Sequence, residues 1–378
     1  MDLGVSRELE NFLDGVRRFG ASFKSEELER AASIPRTLLL ECGRIGLAGI
    51  MVPPEYGGAG LGAVAYALAI EEISKASASL GAVLSVHNSV GTLPILQFGT
   101  EEQRRELLPR ICSGEYLAGF AVTEAGAGSD VSAVSTSAVR EGGEWVLNGV
   151  KLFISNGHGE VINVLAATGR GKGARGQTMF ILRKGDRGFR VGQVERKMGL
   201  HADETCELVL EDCRIPATRV LGKEGDGFRQ AMMALDAGRI GIGAQAVGAA
   251  LGALEAATEL GRRDPRMGQA THFTIAECAA ELEAARLLVL WAADRRDRGL
   301  ESTVAISMAK LRATTVANDV AIRLLEAMGP RALSAPNPFE RLFRDSKVFE
   351  IYEGTSEIHK LIISRRLMGA WSFERGPD

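Results

Sequence analysis

The stretch EWVLNGVKLFI, residues 144–154, indicates that the centre of this chain is built from β-strands. Further β-rich runs follow at strand-and-turn intervals, separated by clusters of Gly, Asn and Asp. These runs are VINVLAA (161–167), TMFILRK (178–184), FRVGQVE (189–195) and CELVLEDCRI (206–215). The pattern predicts a β domain between about residues 117 and 222.

Helical periodicity surrounds this centre on both sides. Before it, LLLECGRIGLAGI (38–50) and the segment 63–86 repeat apolar residues at helical spacing. After it, the segment 239–260 is so rich in Ala and Gly that its helix must approach a neighbour closely, and three more periodic segments complete a bundle. We therefore expect an α+β, mostly α fold with an N-terminal α-helical domain (1–116), a middle antiparallel β domain (117–222) and a C-terminal four-helix-bundle domain (223–378).

The composition limits which binding partners and which cellular compartment we expect for the protein. The 378 residues are 46% hydrophobic and 25% charged, with a net charge of −3, which gives no overall electrostatic footprint for nucleic acid or an anionic membrane. Five scattered cysteines form no C-x-x-C pair and no zinc pattern with the five histidines, so reduced thiols and no metal are expected. The N-terminus lacks a secretory pattern and no run reaches about 18 uninterrupted apolar residues, which favours a cytoplasmic protein.

The run GFAVTEAGAGSDVSA, residues 119–133, combines small residues with hydroxyls at the end of a β-like segment. Gly126 and Gly128 permit a close backbone approach, while Thr123 and Ser129 add hydroxyls beside exposed amides. This combination suits a planar heterocycle or phosphate oxygens. By composition alone, a tight loop between strands is the simpler interpretation.

The run FEIYEGTSEI, residues 349–358, sets the carboxylate of Glu353 between the ring of Tyr352 and Gly354. A carboxylate shielded from water has a raised pKa and becomes a competent base. In isolation, a capping role for Glu353 at a helix that begins near Thr355 is the simpler interpretation.

Taken together, six segments in order along the chain resemble the acyl-CoA dehydrogenase family. They are VPPEYGGAGLG (52–62), FAVTEAGAGSD (120–130), LNGVKLFISN (147–156), KMGLHADETCELVLEDCRIP (197–216), LDAGRIGIGAQAVG (235–248) and RLFRDSKVFEIYEGTSEI (341–358). The resemblance implies FAD-dependent α,β-dehydrogenation of an acyl-CoA or carrier-bound acyl thioester. A base removes the α-proton, the β-hydride passes to flavin N5, and an electron-transferring flavoprotein takes the electrons.

The resemblance also implies roles for individual residues. Glu353 aligns with the catalytic base, and Gly238 stands where some relatives place an alternative base. Positions implied to contact the cofactor are Phe120, Val122, Thr123, Gly128, Ser129, Phe153, Ser155, Gln269 and Thr355. Positions implied to contact the substrate are Ser129, Asp236, Arg239, Tyr352 and Gly354, with Arg239 suited to a CoA or pantetheine phosphate.

Two segments depart from the family pattern where the ADP half of FAD from a neighbouring subunit is held. The segment GRRDPRMGQATHF (261–273) is shortened and lacks Phe-Gly, and Arg323, Glu326 and Ala327 replace Gln, Gly and Gly. Three hypotheses follow: Arg262, Arg263 or Arg266 rebuild the phosphate contact in a homotetramer, a paralogous subunit supplies it in a hetero-oligomer, or FAD is held weakly. A non-catalytic subunit and an oxidase on the same scaffold are the alternatives to a dehydrogenase.

Overall fold

The computed structural model describes residues 6–169, 173–265 and 267–369. Helices form the first part of the chain, and several of them begin at a side chain that caps the first turn. Helix α7, for example, begins at a capping box in which Thr100 and Gln103 each accept a hydrogen bond from the backbone of the other. The helices are α1 (Arg7–Gly20), α2 (Ser25–Ala31), α3 (Arg36–Arg44), α4 (Ala63–Ala76), α5 (Ala78–Val86), α6 (Leu93–Phe98) and α7 (Glu101–Cys112).

A twisted sheet follows, in the strand order β6-β7-β3-β2-β4-β5-β8, with β1 paired to β4. Its pairings are antiparallel except that β1, and one residue of β2, run parallel to β4, so the sheet is mixed at this point and not purely antiparallel as predicted. The strands are β1 (Ala118–Ala121), β2 (Ser137–Glu141), β3 (Glu144–Ser155), β4 (Val161–Ala167), β5 (Gln177–Arg183), β6 (Phe189–Val194), β7 (Thr205–Pro216) and β8 (Val220–Leu221).

Long helices form the last part of the chain. Helix α8 packs against α9, α10 and also α4 of the first part. The expected close approach is present: a Cβ at Gly248 would lie 2.2 Å from the carbonyl oxygen of Glu71, and one at Gly252 would lie 2.6 Å from that of Lys75. The helices are α8 (Gly227–Arg263), α9 (Gln269–Asp297), α10 (Thr303–Met328), α11 (Pro338–Phe349) and α12 (Ser356–Met368).

Two helical stretches of the described residues, Ala78–Phe98 and Gly227–Arg263, are long and apolar enough to cross a membrane by length and composition. In their most apolar windows, 94% and 78% of the residues are buried inside the protein. Core helices pass the same test, so these stretches are weak grounds for a membrane span. Polar residues interrupt both stretches, so neither contains a long uninterrupted apolar run.

All five cysteines are buried and free. Burial raises the pKa of their thiols, for example to about 12 at Cys206. Among the described residues, no group of three or more His, Cys, Asp or Glu side chains is placed to hold a metal ion.

Candidate active site

Glu353 lies in a short turn between α11 and α12, which we call the base turn (residues 350–355). The turn is unusual because two successive residues adopt left-handed backbone angles, with φ of +53° at Glu353 and +109° at Gly354. Thr355, and not Glu353, caps α12: its side chain accepts a hydrogen bond from the amide of Ile358. The capping interpretation of Glu353 is therefore wrong, and its side chain is free for another role.

The carboxylate of Glu353 is buried without a hydrogen-bond partner. Neither oxygen reaches solvent or accepts a hydrogen bond, although the residue as a whole is half-buried. Burial raises the pKa of Glu353 to about 7, against the lowering effect of Arg239 and Lys310. A carboxylate in this state exchanges a proton readily near neutral pH.

Gly238 on α8 provides the space that this carboxylate occupies. A Cβ built at Gly238 would lie 1.9 Å from Oε2 of Glu353 and 2.5 Å from its carboxyl carbon. A side chain at 238 and the present position of Glu353 exclude each other. Glu353 can therefore occupy its present position only because residue 238, where some relatives place an alternative base, is a glycine.

Asp236 and Arg239, predicted to lie at the substrate mouth, form an ion pair, and Arg239 contacts the base turn. Arg239 is only 6% exposed; its Nε donates to the carbonyl oxygen of Glu353 at 3.1 Å, and its Nη1 contacts Oδ1 of Asp236 at 2.9 Å. The other oxygen of Asp236 accepts from Thr303 at 3.0 Å. The guanidinium of Arg239 is thus buried and engaged with the base turn, and its role in binding a phosphate stays a prediction.

The first predicted cofactor segment is a loop whose small residues face open space. No atom lies within 4 Å of a Cβ built at Gly126 or Gly128, and Gly128 and Ser129 are exposed, so the chain leaves room for another molecule. Phe120 and Thr123 are half-buried, and Val122 is buried.

The buried side chain of Glu124 holds this loop in place through hydrogen bonds and an ion pair. Its carboxylate accepts from the amides of Ser135 (2.8 Å) and Thr136 (3.0 Å) and pairs with Lys151 at 2.7 Å. Burial alone would raise the pKa of Glu124, but Lys151 and these hydrogen bonds lower it to about 2. The pair is therefore ionised, and it fixes the loop to strand β3.

The second predicted cofactor segment ends β3 at an irregularity in its pairing with β7. Here Phe153 has a φ of +57° and 64% of its surface is exposed, which is a strained backbone holding an apolar ring in the open. The amide of Leu152 donates to the carbonyl of Thr123 at 2.9 Å, so the two segments lie side by side. Gly128, Ser129 and Phe153 are thus exposed residues of two adjoining segments, which together form the open surface of this site.

Ser155 connects this surface to the base turn through a residue that the sequence analysis did not identify. Its hydroxyl donates to Oδ2 of buried Asp203 at 2.9 Å. The pKa of Tyr352 in the base turn is raised, mainly by burial and secondly by the nearby negative charge of Asp203. The hydroxyl of Tyr352 donates to Gln245 on α8 and is therefore already engaged.

The remaining predicted positions lie on α8, α9 and α10. Gln269 opens α9 and is exposed. Arg323 pairs with Glu277, and Arg312 with Glu281, beside a cavity of about 400 Å³. Arg262 and Arg263 are exposed and pair with Glu259, and Arg266 lies outside the described residues.

The geometry combines a proton acceptor of near-neutral pKa with an open surface that carries an exposed ring, hydroxyls and bare glycines. This arrangement fits a planar redox cofactor beside a base. Family comparisons agree: residues 6–115, 119–213 and 225–368 match the N-terminal, middle and C-terminal domains described as acyl-CoA dehydrogenase.

Individual proteins match over nearly the whole chain. An acyl-CoA dehydrogenase of Bacillus subtilis (strain 168) is 45% identical over 352 residues, which are 91% of this chain and 93% of that protein. Butyryl-CoA dehydrogenase from Megasphaera elsdenii superposes with a TM-score of 0.94 at 36% identity, covering 97% of this chain and 100% of that one. A chain from the structure of the electron transferring flavoprotein of Acidaminococcus fermentans gives a TM-score of 0.95 at 40% identity, covering 98% and 100%.

The chain belongs to the acyl-CoA dehydrogenase family. It is a flavoprotein oxidoreductase that uses FAD to dehydrogenate acyl thioesters. The predicted fold, with its helical, β and helical parts, is confirmed.

Proposed function

We propose that the protein introduces an α,β double bond into an acyl-CoA and that the carboxylate of Glu353 removes the α-proton. The observation that carries this proposal is the burial of both Glu353 oxygens without a hydrogen-bond partner. A base is most effective when its pKa lies near the working pH, and burial raises the pKa of Glu353 to about 7. The proton passes to this carboxylate as the β-carbon loses a hydride and the double bond forms.

FAD, when bound, accepts that hydride. The residues placed to hold its ring are Phe153, whose exposed face supports stacking, and the open loop with Thr123, Gly128 and Ser129. Ser155 offers its hydroxyl oxygen as an acceptor, because its proton is already donated to Asp203.

The substrate that we propose is a short or medium straight-chain acyl group. Support comes from Gly238, which stands in the place of a second base, and from the similarity to butyryl-CoA dehydrogenase. The left-handed turn at Glu353 and Gly354 leaves the backbone amide of Glu353 available to polarise a thioester carbonyl. CoA and carrier-bound thioesters share this chemistry, and a substrate panel that contains both distinguishes them.

For the electron acceptor we propose an electron-transferring flavoprotein, which the similarity to a chain from such a structure supports. For the assembly we propose a homotetramer in the cytoplasm, a compartment that suits buried free thiols. Arg323 is paired with Glu277 and Glu326 is exposed at the end of α10. These two residues favour a second candidate, in which a paralogous subunit supplies the contacts to the ADP half.

The test is the FAD content per chain of purified protein, followed by anaerobic bleaching of the flavin with a panel of acyl thioesters. One FAD per identical chain and bleaching by a short-chain acyl-CoA support the leading proposal. If no member of the panel reduces the flavin, the result supports the alternative of a non-catalytic subunit. Hydrogen peroxide formed in stoichiometric amount in air would indicate an oxidase on the same scaffold.

A further inference from the structure

Two buried cations hold two successive carbonyl oxygens of the base turn. Arg239 from α8 donates to the carbonyl of Glu353 at 3.1 Å, and Lys310 from α10 donates its Nζ to the carbonyl of Gly354 at 2.7 Å. The two donors come from different helices and grip adjacent peptide groups. The turn is therefore fixed from two sides.

The turn needs this support because its backbone is strained. A left-handed conformation is unfavourable for a residue with a side chain, and Glu353 adopts it at φ +53°. Such a conformation persists only where the surroundings over-determine it. The carboxylate makes no hydrogen bond of its own, so the main chain and the space at Gly238 determine where it lies.

The burial of Lys310 carries a free-energy cost, because its amino group is removed from water. Lys310 is 0% exposed, and the neighbours on its side of α10, Ile306, Ser307, Ala313 and Thr314, are all buried and uncharged. Burial lowers the pKa of Lys310 to about 7, against the attraction of Glu353 and, more weakly, Glu350 and Glu357. Burying a cationic side chain costs stability unless its donors find acceptors, so the acceptor that Lys310 has matters.

Among the residues that the structure describes, no acidic side chain of the surrounding helices forms an ion pair with Lys310. Arg239 repels it, and the pKa of His359 is lowered to about 3 by burial and then by Lys310, so this imidazole is neutral. The hydrogen bond from Lys310 that the structure shows goes to the base turn.

We propose that Lys310 is a positioning residue for the reaction: it holds the main chain of the base turn so that the Glu353 carboxylate faces Gly238 and the substrate. Arg239 shares this task through the preceding carbonyl. The inference rests on the proposed role of Glu353 as the base.

The test compares Lys310→Met with Lys360→Met in the FAD-loaded protein. Lys360 lies on α12 with 64% of its side chain exposed, which makes it a matched control. One readout is the single-turnover rate of flavin reduction by an acyl-CoA, which should fall about 100-fold in Lys310→Met, since small misplacements of a reacting group cost this much. The other is hydrogen exchange of the peptide that contains residues 350–356, which should accelerate in Lys310→Met alone.

A pH profile separates positioning from a general loss of structure. Removing the Lys310 charge raises the pKa of Glu353, so the acidic limb of the reduction rate should move to higher pH in Lys310→Met and stay in place in Lys310→Arg. Unchanged exchange of the base turn together with an unchanged rate would overturn the inference. If Lys310→Met does not retain FAD, Lys310→Gln decides by the same readouts.

The exchange measurement needs no turnover. If the wild-type flavin is not reduced by any acyl thioester, the proposed function fails, while accelerated exchange in Lys310→Met would still show that Lys310 holds the turn.

Discussion

Gly238 and Glu353, on different elements and 1.9 Å apart once a Cβ is built on the glycine, cannot both carry a side chain in this geometry. At this point helix α8 lies against the base turn. Gly238 leaves space for the carboxylate, and the next residue, Arg239, donates a hydrogen bond to the carbonyl of Glu353. The same turn of helix thus supplies both the space for the base and one of its backbone supports.

Substituting Gly238 with alanine should displace the carboxylate of Glu353 and slow flavin reduction about 100-fold, because the reacting group leaves its position. Gly15→Ala in α1 is the control, since a Cβ built there meets nothing within 4 Å beyond its own stretch of helix. Stopped-flow reduction measures both. Equal rates in the two variants would show that the contact at Gly238 does not control the base.

The rate of flavin reduction should depend on pH through Glu353. The base acts when deprotonated, so the rate should rise with pH and level off above a pKa of about 7 in the free enzyme. Single-turnover rates at low substrate concentration, measured across the pH range in which the protein stays folded, report this limb. A rate that is flat down to about pH 5 would contradict a buried, partnerless carboxylate as the base.

Glu353→Gln should stabilise the protein at alkaline pH. Because the pKa of Glu353 is raised to about 7 in the folded state, the folded protein binds more protons than the unfolded chain between about 4.5 and 7, and stability falls as pH rises through this window. The gain from Glu353→Gln should therefore be larger at pH 8 than near pH 5, by roughly 2–3 kcal/mol. Thermal unfolding of both proteins at the two pH values measures the difference. An equal effect at both pH values would contradict the raised pKa.

The buried pair of Glu124 and Lys151 should be needed to retain the cofactor. Lys151→Met leaves the Glu124 charge buried and unpaired and should cost about 3–5 kcal/mol of stability, with loss of FAD as the loop detaches. The double variant Glu124→Gln with Lys151→Met should recover part of this loss. Arg190→Met, which breaks an exposed pair with Glu211, is the control and should change stability by less than about 1 kcal/mol. Denaturation and FAD content measure all four proteins, and a double variant no better than Lys151→Met would contradict the argument.

Much of the fold could be predicted because its signals are local. The β-rich runs of the centre and the helical periods around it correspond to the observed strands and helices. The Ala and Gly content of α8 correctly predicted a close neighbour, although that neighbour includes α4 from the first part of the chain. The parallel pairing of β1 with β4 was not predicted, because strand direction depends on contacts between distant segments.

The site was predicted less completely, since its geometry depends on residues far apart in the chain. Lys310 had a visible signal, a lysine among the uncharged residues of a helical stripe, but its acceptor lies 44 residues away in the base turn. Asp203 lies in the segment 197–216 that resembles the family, but its contact with Ser155 could not be predicted, because only the fold brings the two residues together. The sequence also does not reveal that the guanidinium of Arg239 is buried and donates to the carbonyl of Glu353.

The most direct test of the Glu353 carboxylate as the base is anaerobic mixing of an acyl-CoA with wild-type protein and with Glu353→Gln, each carrying FAD. Binding is verified by the change that the ligand causes in the flavin spectrum, so that loss of affinity is not mistaken for loss of chemistry. Wild-type flavin should be reduced in a single turnover, and the variant should bind the ligand but reduce its flavin about 10²–10⁴-fold more slowly. Reduction of the Glu353→Gln flavin at the wild-type rate would contradict the account.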